Sequence, residues 1–263
     1  MVRIGMENIP ERIDELYHTE EKEFLVMCIS EDYGYDYNDY WEMVVDICGY
    51  VETATGCTNN LKCCLTYANK DFEDCFFSNE NIYRIKGRLM KSSDGAIYVT
   101  EIISENEKNE FLENLLTEYK KEVSINSEVL GKLILNKDLN YFGTTVDWCG
   151  KNVGFSINDN IDENLSVAEE LYRNRHEWDR KAREFASKYL TDNANDWKYS
   201  EVENEEDFVE ITEKEFAERL EINDISLYND GNFTIYYADD DMFWGHSVIV
   251  DGNIKTGFEE AYI

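Results

Sequence analysis

Apolar and polar residues alternate along most of the first hundred positions, with the period of two that is typical of β-strands. The alternation predicts strands at residues 23–29, 41–51, 60–67, 82–90 and 96–103. Thr55-Gly56 and Ser92-Ser93-Asp94-Gly95 are among the turn signals that separate them. Short strands without alternating helices favour a small antiparallel sheet or barrel, and their spacing is compatible with an oligonucleotide/oligosaccharide-binding type of barrel. A short helix at residues 11–17, opened by Pro10, is predicted before them.

The apolar spacing becomes helical near residue 106, which predicts a helix over residues 106–122. The polar stretch 123–128 is the best domain boundary. A β-meander is predicted after it, followed by a long helical segment with a break near Arg175; the ranges are 130–136, 141–148 and 153–157 for the strands and 165–190 for the helical segment. Residues 193–207 read as an acidic connector, and Thr212 with Glu215 forms a capping box that opens a short helix to Leu220.

A second predicted meander closes the chain. Asp230-Gly231 lies between the β-rich runs 225–228 and 233–237, and this dipeptide is a strong hairpin signal because glycine adopts positive φ at no steric cost. Alternation then resumes from Phe243 to Val250, which predicts Trp244, His246 and Val248 on one face of a strand. Asp251-Gly252-Asn253 is predicted as another turn, before a weaker strand from Ile254.

The fold class predicted from these patterns is α+β. Residues 1–123 form an N-terminal antiparallel β-rich domain, which can close into a small barrel. Residues 124–263 form an α+β domain with β-meanders and one long helical segment.

The chain resembles a known family through a set of segments in fixed order and spacing. They are the hairpin at 142–157, Ala168-Glu169-Glu170-Leu171, Glu177-Trp178-Asp179, the stretch 211–216, Asn229-Asp230-Gly231 and Phe243-Trp244-Gly245-His246-Ser247. From about Gly131 to the end, this arrangement resembles the bacterial domain-of-unknown-function family numbered 2262. The resemblance implies a domain definition and no activity or catalytic residues.

Composition changes the picture through charge. The 263 residues carry a net charge of -32, with -10 over residues 1–50 and -15 over residues 201–263. A hydrophobic content of 43% indicates a globular chain long enough for two modest domains. So negative a protein lacks the basic footprint of a general nucleic-acid binder and is repelled by anionic membranes, whereas it attracts basic partners over long range.

The expected location is the cytoplasm. The opening residues lack the apolar core of a secretory signal, and no apolar run approaches the roughly twenty residues of a membrane span. An odd number of cysteines, seven, favours reduced thiols.

The acidic turn near the C-terminus is one candidate ligand site, formed by Asp239, Asp240, Asp241, Trp244 and His246. Carboxylates beside an imidazole suit a divalent ion or acid–base chemistry. Three consecutive aspartates cannot all face one ion, however, and a solvated turn with a histidine packed beside Trp244 is the simpler interpretation.

Two further groups of residues suit either a functional or a purely structural role. Arg84, Lys86 and Arg88 form a basic stripe on one predicted strand, which suits an anion or nucleic-acid contact, or pairing with the protein's own surplus acid. Cys57, Cys63, Cys64 and Cys75 lack the spacing of a zinc site, so they read as small core residues, and no metal or other cofactor is expected.

The run from Glu31 to Tyr40 interleaves tyrosines with carboxylates and is predicted to be a polar loop. Its candidate partner-binding residues are Asp32, Tyr33, Tyr35, Asp36, Tyr37, Asp39 and Tyr40. Tyrosine offers a large contact area at little entropic cost, and carboxylates steer basic partners. An ordinary solvated loop is the alternative.

The leading functional expectation is a non-catalytic acidic protein that captures a basic protein partner, such as an immunity or inhibitor protein against a basic toxin or nuclease. One alternative is a metal-dependent or other hydrolase that uses His246 with Asp240 or Asp241. Another is nucleic-acid or nucleotide binding through Arg84, Lys86 and Arg88.

Overall fold

A computed structural model describes residues 2–4, 11–70, 72, 75–92, 95–158, 160–201 and 208–263. Its contacts divide the chain into two compact units, Met1–Lys121 and Glu122–Ile263. Pro10, residues 93–94 of the predicted turn before Gly95 and residues 202–207 of the predicted connector lie outside the described residues.

Short alternating runs form the N-terminal unit, as predicted. Its elements are β1 (Val2–Arg3), α1 (Glu11–Leu16), β2 (Lys22–Cys28), β3 (Tyr33–Asp36), β4 (Trp41–Glu52), β5 (Thr58–Asn59), β6 (Cys63–Asn69), β7 (Ile82–Leu89), β8 (Ala96–Ser104) and α2 (Glu110–Lys120). Strand alternation here follows burial: in β2, Phe24 and Val26 belong to one apolar cluster and Leu25 and Met27 to another.

Five of these strands close into a barrel in the order β2-β4-β6-β8-β7, because β7 pairs with both β8 and β2. The β6–β8 pair is parallel and the other four are antiparallel. This strand order is that of the oligonucleotide/oligosaccharide-binding barrels, and the predicted small barrel is confirmed.

Helices cover two parts of the outer barrel surface. On α1, Ile13 packs with Tyr17, Ala68 and Tyr98 beside β6 and β8. On α2, Leu112 packs against the outward side chains of β2. Helix α2 begins later than predicted because the Asn109 side chain caps it, accepting a hydrogen bond from the Leu112 N–H at 3.1 Å.

The Asp/Tyr run is not a plain loop, which corrects the prediction for it. Residues Tyr33–Asp36 form β3, which pairs antiparallel with Trp41–Val44 at the start of β4. Three of the four β3 residues are exposed, so the strand lacks the alternation of buried and exposed positions that a hydrophobicity pattern would reveal.

The C-terminal unit is an eight-stranded sheet with helices on one face. Its elements are β9 (Ser124–Ser127), β10 (Gly131–Asn136), β11 (Tyr141–Trp148), β12 (Lys151–Asn158), α3 (Ile161–Arg173), α4 (Arg175–Glu201), α5 (Glu213–Arg219), β13 (Glu221–Leu227), β14 (Asn232–Ala238), β15 (Val248–Asn253) and β16 (Gly257–Tyr262). The α+β fold class is therefore confirmed.

The sheet runs in chain order from β9 to β16, and only its β12–β13 pair is parallel. Helices α3, α4 and α5 form the crossover that a parallel pair needs. Inward residues such as Phe155, Ile225 and Ile235 are fully buried in the core beneath these helices. The opposite face of the sheet carries the alternate, more polar residues.

The predicted break near Arg175 is confirmed, because α3 ends at Arg173, Asn174 caps it and α4 starts at Arg175. The acidic-connector prediction is wrong for residues 193–201, which continue α4. Ala194, Asn195 and Trp197 pack against other parts of the unit, and this tertiary contact keeps a polar segment helical.

Two strand predictions near the C-terminus need correction. Residues 240–245 form turns and β15 starts only at Val248, so the predicted strand alternation over 243–247 is wrong. Asp251-Gly252-Asn253 ends β15 instead of turning, and the final strand begins at Gly257. Hydrogen bonds to β14 and β16 keep Asp251-Gly252-Asn253 extended despite the preference of Asp and Gly for turns. Around residue 243 the reverse holds, because the Asp239 carboxylate accepts hydrogen bonds from the N–H groups of Asp241, Phe243 and Gly245 and so holds the chain in a turn.

Candidate functional site

The acidic tyrosine hairpin, residues 31–44, presents its aromatic rings on the outer surface of the N-terminal unit. Tyr33 pairs with Val44 and Tyr35 with Glu42 across β3 and β4, so both tyrosines lie on one face. Their exposed fractions are 39% and 57%, and the two rings meet edge-on with centroids 6.2 Å apart. Two large aromatic side chains therefore form one accessible patch.

Hydrogen bonds hold the tip of this hairpin in one conformation. The Tyr37 N–H donates to the Tyr40 carbonyl at 2.9 Å, and the Asp36 carboxylate accepts from the Asn38 N–H at 2.7 Å. The Tyr37 and Tyr40 rings stack with centroids 5.4 Å apart, and the Arg12 guanidinium lies 4.5 Å above Tyr37. Asp36 and Asp39 remain exposed beside these rings.

Asp32 differs from the other candidate residues of the hairpin because its carboxylate faces inward. It accepts hydrogen bonds from the Tyr67 hydroxyl and, at 2.8 Å, from the Phe77 N–H. Burial raises the pKa of Asp32 even though both hydrogen bonds act in the opposite direction. Asp32 thus ties the base of the hairpin to the barrel.

The electrostatic character of the hairpin is strongly negative. Residues 30–46 include six carboxylates and no lysine or arginine. Burial, with a further contribution from Asp46, raises the pKa of Tyr33 to about 12, so this hydroxyl stays neutral and able to donate. Arg12 and Lys62 reach in from neighbouring segments and pair with Glu42 at 3.3 Å and Asp46 at 3.1 Å.

The basic residues on β7 form ion pairs with acidic residues of the same chain. Arg84 pairs with Glu23 at 2.9 Å and Glu107 at 3.3 Å, and Lys86 lies 3.8 Å from Glu101. Arg88 is only 5% exposed; it pairs with Asp14 at 2.8 Å and also donates to the backbone carbonyl oxygen of His18. The stripe alternates as predicted, and all three cations have internal partners.

The three consecutive aspartates after β14 have separate roles. Asp239 is 3% exposed and its carboxylate accepts from the backbone N–H groups of Phe243 at 2.5 Å, Asp241 at 3.2 Å and Gly245 at 3.3 Å. Asp240 pairs with Arg219 at 2.7 Å. Asp241 is exposed and has no ion pair among the described residues.

Trp244 and His246 meet at a third residue that the sequence did not single out, Trp197 on α4. The Trp197 ring lies 4.5 Å from that of Trp244 and 5.9 Å from that of His246, by centroid distance. Trp244 is 57% exposed and has a φ of 56°, which is unusual for a bulky residue. The sequence predicts a connector around Trp197, and no local signal links positions 197 and 244.

The cysteines do not assemble into a cluster in the part of the chain that the structure describes. Cys63 is buried in the barrel, Cys64 lies on its outer side, and Cys57 and Cys75 are exposed. No group of three or more His, Cys, Asp or Glu side chains could hold a metal ion within the described ranges.

The open face of the C-terminal sheet contains a groove of about 850 Å³ that sequence reasoning missed. Its lining includes Tyr141, Gly143, Gly154, Ser156, Asp224, Ser226 and Tyr228. The Asp224 carboxylate lies against Gly154, where an added Cβ would come within 2.3 Å of its Oδ2 atom. Burial raises the pKa of Asp224, although the Ile225 N–H donates to it. In the sequence, Asp224 directly precedes the β-rich run 225–228, and no local signal distinguishes it from the other aspartates of the chain.

Among the described residues, no helix is both long and apolar enough to cross a membrane.

The geometry defines a two-unit α+β protein, with a five-stranded barrel of the oligonucleotide/oligosaccharide-binding topology followed by a helix-backed sheet. The chain belongs to the family described as "Uncharacterized protein conserved in bacteria (DUF2262)", which matches residues 127–263 and confirms the resemblance found in the sequence. Residues 10–119 match a second family, "Domain of unknown function (DUF7021)". No curated protein matches the chain.

Proposed function

We propose that this protein is a non-catalytic binding protein that captures a basic protein partner through the acidic tyrosine hairpin. An immunity or inhibitor protein against a basic toxin or nuclease is the kind of protein that this chemistry suits. The observation that carries the proposal is a rigid hairpin with three exposed tyrosines, Tyr33, Tyr35 and Tyr37. They lie within residues 30–46, which contain six carboxylates and no lysine or arginine.

Rigidity supports this function because binding then costs little conformational entropy. The hairpin is paired to β4, closed at its tip by backbone hydrogen bonds and fastened at its base through Asp32. Tyrosines supply buried contact area in an interface, and the surrounding carboxylates increase the association rate with a positively charged surface.

The two alternatives receive less support from the described contacts. A hydrolase would need His246 to work with Asp240, yet Arg219 already pairs with that carboxylate, and Asp241 has no hydrogen bond to the imidazole within the described residues. Nucleic-acid binding through β7 would require Arg84, Lys86 and Arg88 to give up their internal partners.

The test is a pull-down from the native bacterial lysate with mass-spectrometric identification, at about 50 mM and about 300 mM salt. We expect the wild-type protein to recover a basic protein in a salt-sensitive manner, and the triple variant Tyr33→Ser, Tyr35→Ser, Tyr37→Ser to lose it. Tyr189→Ser, which removes a tyrosine that is 61% exposed on α4, is the matched control and should retain the partner. Recovery of no basic protein, or equal recovery by the triple variant, would contradict the proposal.

A further inference from the structure

The groove on the open face of the C-terminal sheet has the size of a small-molecule site. Its volume of about 850 Å³ lies within the range of ligand pockets in proteins, about 300–1,000 Å³. Gly143 on β11 and Gly154 on β12 leave its floor without side chains. The Tyr141 ring and the Asp224 carboxylate occupy the space directly over these glycines, since added Cβ atoms would lie 3.0 Å and 2.3 Å from them.

The backbone places Asp224 in the groove through a β-bulge. Pairing between β13 and β14 shifts register between Ile222 and Asp224, and such bulges redirect side chains. Asp224 is paired in register with Gly154 on the parallel strand β12. Replacement of Gly154 by any other residue would therefore displace the carboxylate.

Charge identifies the kind of ligand. Lys132, the lysine at the groove, is already paired with Glu122 at 2.5 Å. Asp224 has no basic partner among the described residues, so the groove holds one uncompensated negative charge. A carboxylate that is partly removed from water without a cation beside it is a common feature of binding sites.

The other groups in the groove suit an ammonium ion. Ser156 and Ser226 lie side by side, with their hydroxyl oxygens 2.9 Å apart, and each oxygen has lone pairs that can accept further hydrogen bonds. An ammonium group has three donors and no acceptor, which matches one carboxylate and two hydroxyl oxygens. Tyr141 and Tyr228 add aromatic rings, which attract cations at their faces.

We propose that this groove binds the primary ammonium group of a ligand, with Asp224 as its anionic anchor and Ser156 and Ser226 as acceptors. The ligand is either a free small amine or a lysine side chain of a peptide. The inference does not rest on the acidic tyrosine hairpin, which lies in the other unit of the chain.

The experiment is a titration of the full-length protein followed by backbone amide NMR, in about 150 mM salt to screen non-specific attraction. The probes are n-butylamine, the tripeptide acetyl-Gly-Lys-Gly-amide and, as a neutral control, n-butanol. We expect one of the two amines to shift the amide signals of Gly154 and Ser226 in a saturable manner, and n-butanol to leave them unchanged. The amine that binds more tightly identifies the source of the ammonium group.

Asp224→Asn keeps the shape of the side chain and removes its charge, and should weaken this binding at least tenfold. Gly154→Ala should do the same by displacing the carboxylate. Asp230→Asn is the matched control, since it makes the same substitution in the turn before β14, outside the groove lining, and should bind like the wild type. Absence of saturable shifts with both amines, or equal binding by Asp224→Asn, would overturn the proposal.

Discussion

Asp239 and Asp241 are two positions apart and have the same side chain, but their environments differ completely. Asp239 is buried and accepts three backbone hydrogen bonds, whereas Asp241 is exposed. The carboxylate of Asp239 determines the course of a turn in which Asp240, Asp241 and Trp244 all have positive φ. Such conformations persist only where the surrounding contacts hold them.

We expect Asp239→Ala to lower the free energy of unfolding by about 3 kcal/mol, because buried N–H groups lose a charged acceptor. Asp241→Ala should change it by less than about 0.5 kcal/mol, as is usual for exposed sites. Urea denaturation of the two variants measures both values. Similar losses in both would show that the turn does not depend on Asp239.

Asp224 leads to a prediction about pH. Because burial raises its pKa in the folded protein, the folded state binds more protons than the unfolded chain between the ordinary aspartate pKa and the raised one. The carboxylate therefore costs stability as pH rises through that interval. Asp224→Asn should have a higher Tm than the wild type at pH 7, with a smaller difference near pH 4, close to the ordinary aspartate pKa of 3.8. A lower Tm at pH 7 would indicate an unrecognised partner for the carboxylate.

At the scale of elements, α5 is the clearest case of local determination. Thr212 accepts from the Glu215 N–H at 3.2 Å, and the Glu215 carboxylate accepts from the Thr212 N–H at 2.9 Å. Both partners lie within four residues, so the sequence pattern alone predicted this capping box correctly. The backbone N–H of Thr212 also lowers the pKa of Glu215, which helps to keep the cap ionised.

Thr212→Ala should destabilise the C-terminal unit by about 1 kcal/mol, the usual effect of losing a helix cap. Thr212→Ser keeps the accepting hydroxyl and should cost clearly less. Thermal unfolding followed by circular dichroism compares the two variants with the wild type. Equal losses for both would mean that the threonine methyl group matters and the cap does not.

The strand β3 and the end of α4 illustrate elements that the sequence could not predict. β3 forms because β4 offers a free edge to Tyr33–Asp36, and α4 continues because Ala194 is buried and Asn195 binds both backbone groups of Ile211. In each case the stabilising partner is distant in sequence or is recognisable only in the folded chain.

At the scale of the whole molecule, charge dominates. The chain has 57 acidic residues and 25 lysines and arginines, so carboxylates outnumber these cations by 32. Exposed ion pairs contribute about 0–1 kcal/mol each, and the uncompensated carboxylates repel one another in the compact state.

We therefore expect the Tm to rise when sodium chloride is increased from about 20 mM to about 500 mM, because the Debye length becomes shorter than most separations between surface charges. Differential scanning calorimetry measures this change. Potassium chloride at equal ionic strength should have the same effect if screening is the cause. A fall in Tm would mean that the surface ion pairs outweigh the repulsion.

The sequence by itself determined the α+β fold class, the start of α5 at its capping box, the break near Arg175 and the acidic character, because each depends on residue periodicity, a local hydrogen bond or a sum of charges. Tertiary structure decided which candidate residues are accessible: Asp32 and Asp239 are held inside, Arg84 and Arg88 are paired, and Trp244 packs on Trp197. It also placed Asp224 over Gly154, two residues that lie about seventy positions apart in the sequence. These outcomes depend on which segments meet in the fold, and no periodicity along the chain encodes that.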